Sequence, residues 1–515
     1  MRRLSFKDAC VNGLAPYSDI PTNAPFLTQA RNRMCCARGA KDIPPVAYPV
    51  TGVSESMVWP HMQLVQAGRK LLLFTATAVY DVSSAYAAGT ALVTYDGTSQ
   101  SATKSIAAGT GFWQVAAAFD SWFATKGNAF MFSAPSNTSG RTMVVDTTLT
   151  VNAICEHQGQ LFLGGLAGTQ MSDATWTDLF NLWKATSPPS TFTNSGAAWD
   201  TGYVFYGPPG GMGSQYPHDQ LLAALGIPSA SFYAEKYQEE VRTLVRDGFM
   251  GFIPITRAGA VRSLKGYGDS VIAYCENCVV RLARMDDGRW VEADRIVEEG
   301  VPSRSSVAGT DKQHFAVMKS GDIWGGQLNQ GWGNLQYANL MNTLTLANLV
   351  VTHDPQDDYT WFSDGVDCFL KTPEGMGNSN AIRPSSVVRV HGTAGALGTA
   401  VRQADPQTVI IESNVFDSGG RDVFQTLFLD VTARDTHSTG ATAYMKARKD
   451  KADALTSFSA SAVAVDDRGK ARVSTSGIEM SAVILHPDHT LLDLDTFDAI
   501  ITEGDMKHSD AKGYT

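Results

Sequence analysis

Two cysteines stand three positions apart, Cys275 and Cys278, in the stretch VIAYCENCVVRL. A redox pair needs its first thiol at a helix N-terminus, where the dipole lowers the pKa, but VIAY before and VVRL after both read as strand. A structural zinc needs four ligands, and the chain has no second Cys-x-x-Cys and no His-x-x-x-His. The pair therefore reads as the ends of a hairpin whose two-residue loop is Glu276-Asn277. His486 and His489 flank Pro-Asp, which favours a turn over chelation. The acidic pairs Asp286-Asp287, Asp357-Asp358 and Asp466-Asp467 lie beside glycine or at turns, where Asp accepts backbone hydrogen bonds. GYGDSV, GWGNLQ and GGMGSQ lack the endings that cradle phosphate, and no serine sits in a Gly-x-Ser-x-Gly elbow. No catalytic, cofactor-binding or metal-binding residue is expected.

The elements that would have to position such residues are strands. Period-2 segments come in pairs around turns: 68–82, 110–134, 154–165, 269–282, 312–326 and 358–370. One inner position from each, Phe74, Ala118, Cys155, Ile272, Phe315 and Thr360, gives steps of 44, 37, 117, 43 and 45 residues. Steps near 40 to 45 residues match one four-stranded propeller blade. The spacing predicts a mainly β chain with a β-propeller of about six blades over 51–415, in which Trp113, Trp122, Trp324 and Trp361 belong to blade cores.

The long step predicts a partly helical insertion over 166–262. Helix patterns fall at 171–185, 217–228 and 231–249, around the glycine-rich loop YGPPGGMGSQYP. Helices inserted into a strand array read as a contact module. An extended N-terminal arm (1–50), a C-terminal β-sandwich (420–505) and a flexible tail (506–515) complete the expected organisation.

Composition narrows the partners. There are 51 acidic against 41 basic side chains, a net charge of -10, so a surface that grips nucleic acid or anionic lipid is not expected. Seven cysteines form no disulfide framework in a chain of 515 residues and read as cytosolic thiols. No apolar run suggests an export signal or a membrane anchor.

The chain resembles the nozzle or hub (tail tubular) proteins of short-tailed bacteriophages. One match is NAPFLTQARNRMCCARGAKDIPPV (23–46), in which Ala30, Arg31 and Asn32 are followed by the basic turn Arg38-Gly39; the proline usual after that arginine is missing. The second runs through Gly268-Asp269, Gly300, Ser305-Ser306 and the Ser320-Gly321-Asp322-Ile323-Trp324 hairpin. These motifs cover about a third of the chain. The resemblance implies a virion protein assembled in the host cytoplasm: a homohexameric ring beneath the head-tail adaptor. The ring would contact tail fibres or other tail proteins, retain DNA until infection, and let the genome pass through its lumen without specific binding. Two other readings stay open, a propeller glycosidase or lyase acting on host polysaccharide and a receptor-binding adhesin.

Overall fold

The computed structural model describes residues 2–504 apart from 44–47, 53–62, 97–102, 107–111, 134–141, 146–150, 167–201, 211–242, 390–395, 402–407, 418–422, 434–439, 458–461, 489–493 and breaks of one or two residues at 18, 68–69, 85, 104, 119–120, 128–129, 329, 381, 449 and 474. Among the described residues seven small sheets follow one another as propeller blades. The first comprises Gln63–Ala67, Lys70–Phe74 and Val79–Asp81. The second comprises Gln114–Ala118, Ser121–Thr125, Phe130–Ser133 and Thr142–Val145, with Thr94–Asp96 parallel at its edge. Ala153–His157, Gln160–Gly164, Tyr203–Tyr206 and Gly251–Pro254 form the third. Val261–Tyr267, Ser270–Cys275, Val279–Arg284 and Trp290–Val297 form the fourth. The fifth is Val307–Gly309, Gln313–Val317, Ile323–Gln327 and Gly331–Gln336, and the sixth is Val350–Asp354, Tyr359–Ser363, Cys368–Lys371 and Met376–Asn378.

The pattern of burial explains why these segments become blades. In the fourth blade the second strand, SVIAYC, is buried at every position, because neighbouring blades cover both of its faces. The outermost strand, WVEADRIV, is buried only at its two ends. Apolar runs thus sit in the inner strands, and charged residues move to the rim, where the blades diverge.

The seventh blade closes the ring. It pairs Arg383–Arg389 with Ala396–Val401, and the latter lies parallel to Tyr48–Pro49, a strand from the other end of the propeller sequence. Leu64 N in the first blade donates to Ser386 Oγ in the seventh at 3.0 Å. On the other side Arg389 Nε donates to Asp354 Oδ1 of the sixth blade at 2.8 Å. The propeller expected to have about six blades thus has seven among the described residues. Because the closing blade borrows a strand, it leaves no complete repeat in the sequence.

Three boundaries differ from those expected. Tyr203–Tyr206 and Gly251–Pro254 are outer strands of the third blade, so 166–262 is not a separate module. The 117-residue step is one blade with two long excursions. The helix patterns at 171–185 and 217–228 lie outside the described residues, and of 231–249 residues 243–246 are helical. The first 50 residues are not an extended arm. Arg2–Ser5 pairs with Leu494–Gly504, a short helix spans Lys7–Asn12, and Leu27–Arg31 lies between Met376–Asn378 and Val409–Ser413. Nor does the C-terminal unit begin at 420, since Val409–Ser413 and Phe416–Asp417 already pair with Glu479–His486.

The sixth blade consequently runs through Leu27–Arg31 into the C-terminal sheet of Val409–Ser413, Glu479–His486, Thr442–Arg448 and Thr456–Ser457. A second sheet, with Leu494–Gly504 paired to Val423–Ala433, covers it. One continuous core joins Cys10, Leu27 and Cys35 to Phe315, Phe362, Ile411 and Phe497. The tail at 506–515 lies outside the described residues.

The Asp354 side chain is 2 % exposed and Arg389 19 % exposed. Removing the cation strands a buried carboxylate, which costs about 3 kcal/mol. Arg389→Met is expected to lower the urea unfolding free energy by that amount, and adding Asp354→Leu should recover most of it. A single substitution without effect would show that this seam does not hold the ring shut.

Candidate functional site

The residues singled out for chemistry are taken up by backbone structure. Cys275 and Cys278 are the ends of a two-residue hairpin loop, with Cys275 N donating to Cys278 O at 3.0 Å. The tip is clamped from both sides. Glu276 N donates to Ala260 O and Val301 N to Cys275 O, and a Cβ on Gly300 would lie 1.9 Å from Glu276 O. Both thiols are buried, and burial raises the pKa of each, the opposite of what a nucleophilic thiol requires. His486 turns Nδ1 onto the backbone of Asp488, at 2.6 and 3.0 Å, while His489 lies outside the described residues. Asp287 accepts from Arg289 N, and Asp466 from Arg468 N and Lys470 N, as turn aspartates do. Asp357 instead joins Asp354 on Arg389. Trp113, Trp122 and Trp361 are buried, and Trp324 packs on the core between the fourth and fifth blades.

The motifs behind the resemblance sit at junctions. Asn32 takes a left-handed backbone, φ 56°, and donates Nδ2 to Thr408 O at 3.1 Å. Arg33 is fully buried, with Nη1 3.4 Å from Asp42, and its N–H reaches Asn378 O in the sixth blade. Met34–Cys36 and Gly39–Lys41 form the hairpin that meets Leu494–Gly504. In the second motif Gly268, at φ 61°, adopts the turn conformation open to a residue without Cβ, and its N–H donates to Asp311 O of the fifth blade. Ser305 Oγ donates to Leu349 O at 2.6 Å, and Val351 N donates to Ser305 O, fastening the fifth blade to the sixth.

A cavity of about 580 Å³ opens where the first strands of the second, third, fourth and fifth blades converge. Its lining includes Ala116, Glu156, His157, Lys265, Thr310 and Asp311. Lys265 sits deep among the blades, so desolvation pulls its pKa below the usual lysine range, yet part of its surface stays open to this cavity. Among the described residues its ammonium has no hydrogen-bond or ion-pair partner. His157 is 7 % exposed, stacks edge-on against Trp290 at 5.9 Å, and is held toward its neutral form by burial. Glu156 accepts Gly159 N through Oε1 at 2.8 Å. No spacing in the sequence signals this set, because its members come from blades far apart along the chain.

Behind Lys265 lies His314, with no exposed surface. Nε2 is 2.9 Å from Gly266 O, which can only accept, so Nε2 carries the proton and Nδ1 accepts the Tyr274 hydroxyl at 2.7 Å. Burial, assisted by the neighbouring Lys265 charge, pulls the imidazole from 6.5 to about 3.

No protein-family model matches the chain, and no curated protein matches it. Among solved structures it is similar to "YCF48 bound to D1 peptide", with a TM-score of 0.30 and 12% identity over 58% of this chain and 77% of that one. It is also similar to the Pan2 WD40 domain of Neurospora crassa, with a TM-score of 0.31 and 8% identity over 66% of this chain and 82% of that one. The propeller assignment rests on the strand order of the chain itself. No helix among the described residues is long and apolar enough to cross a membrane.

The imidazole of His314 generates a pH dependence. The folded state holds it neutral, so the unfolded chain binds the extra proton below about pH 6.5, and stability falls as pH drops from there toward 3. The loss from this one residue is about 2 kcal/mol between pH 7 and pH 5. In His314→Gln, whose amide can still donate to Gly266 O, urea unfolding at the two pH values should differ by that much less than in the parent. Equal pH slopes would show that the imidazole is already charged in the fold.

Proposed function

We propose that this chain is a structural virion protein, a nozzle or hub subunit of a short bacteriophage tail. One observation carries the reading. Among the residues that match the family, Asn32, Gly268, Gly300 and Ser305 fasten blade to blade and propeller to C-terminal sheets. Those motifs serve architecture, as a conduit under mechanical load requires. Copies of the chain form a homohexameric ring below the head-tail adaptor, other tail proteins dock on its outside, and the genome leaves through the lumen. The work is mechanical: the ring retains DNA until infection and then releases it.

Charge fits that role. With a net charge of -10 per chain, six copies carry about -60, and a lumen sharing that charge repels phosphate and does not retard passing DNA.

Two measurements test the proposal. Native mass spectrometry of the purified protein is expected to show an assembly of six 55.3 kDa chains. A trimer would point to an adhesin, and a persistent monomer would remove the conduit. At the salt concentration of a cell, duplex DNA should show no measurable affinity for the ring, because non-specific binding is supplied by Lys and Arg contacts to phosphate. Tight binding that weakens steeply with salt would mean that the protein grips the genome.

A further inference from the structure

We infer that the cavity at the propeller axis binds a monocarboxylated sugar, of the kind that makes up acidic surface polysaccharides. The inference stands on the cavity's own groups and does not depend on the tail assignment. Lys265 supplies an ammonium with no partner among the described residues, reached through a cavity of about 580 Å³. The side chain is half-buried and reaches the cavity, so an entering carboxylate would form a charge-assisted pair with an ammonium that has no acceptor there among the described residues.

The rest of the lining selects what carries the carboxylate. Glu156 stands on the first strand of the third blade and Asp311 on an exposed bend of the fifth, with Thr310 next to it in the lining. Carboxylates are acceptors, so they match the several hydroxyl donors of a sugar ring. They also repel phosphate and sulfate, whose charge is concentrated on one small group. Val115, Ala116 and Leu264 supply a small apolar wall for the C–H face of the ring. A neutral sugar would leave Lys265 unpaired. A simple amino acid would place one ammonium between two separated acceptors and leave the rest of the cavity empty. A hydroxylated ring bearing one carboxylate satisfies all of these groups together.

The full-length protein is titrated with glucuronate and with short glucuronate oligomers, followed by calorimetry and by saturation-transfer NMR. Glucose, inorganic phosphate and glycine serve as comparators. Saturable glucuronate binding is expected, at least tenfold tighter than that of each comparator, and tighter oligomer than monomer binding would identify a polymer as the source. Lys265→Met should weaken glucuronate at least tenfold. Asp311→Asn, at an exposed loop position, should weaken it less and remains a usable test if the lysine variant fails to fold. The inference is overturned if glucuronate does not bind, if glucose, phosphate or glycine binds as tightly, or if both variants bind like the parent.

Discussion

A ring of blades is stable only when its last blade reaches its first, and here that closure is made by pairing Ala396–Val401 with Tyr48–Pro49. The two strands lie nearly 350 residues apart, so the ordering of everything between them precedes the gain from joining them. The bond from Leu64 N to Ser386 Oγ and the ion pair between Arg389 and Asp354 hold the closing blade on its two sides. Closure therefore combines a short strand ladder with side-chain contacts on both flanks of the seventh blade.

The same return of the N-terminal segment builds the C-terminal unit. Leu27–Arg31 inserts between the sixth blade and Val409–Ser413, and Arg2–Ser5 lies on Leu494–Gly504. Propeller and C-terminal sheets consequently share one core and one eleven-stranded sheet. A force applied to either unit is passed to the other through backbone hydrogen bonds. Arg33, buried where these parts meet, shows that the junction is specified by polar groups as well as by apolar area.

Between blades, several buried polar groups are paired across the seam, as with Ser305 on Leu349 and His314 between Tyr274 and Gly266. At the axis the Lys265 side chain opens instead onto the cavity.

Local pattern determined much of the architecture. Period-2 segments with apolar inner strands, such as SVIAYC, can only be buried between two layers, and their regular steps require blades. The Cys275-Glu276-Asn277-Cys278 turn was legible for the same reason, since a two-residue loop between two strands leaves the cysteines facing each other. Tertiary structure alone decided the rest. The closing blade was invisible because Tyr48–Pro49 is too short to carry a period and its partner is remote. Tyr203–Tyr206 and Gly251–Pro254 were concealed by the long excursions around them. The axial set of Glu156, Lys265 and Asp311 left no spacing to read, because each sits on its own blade and convergence at an axis is a property of ring closure, not of any local sequence.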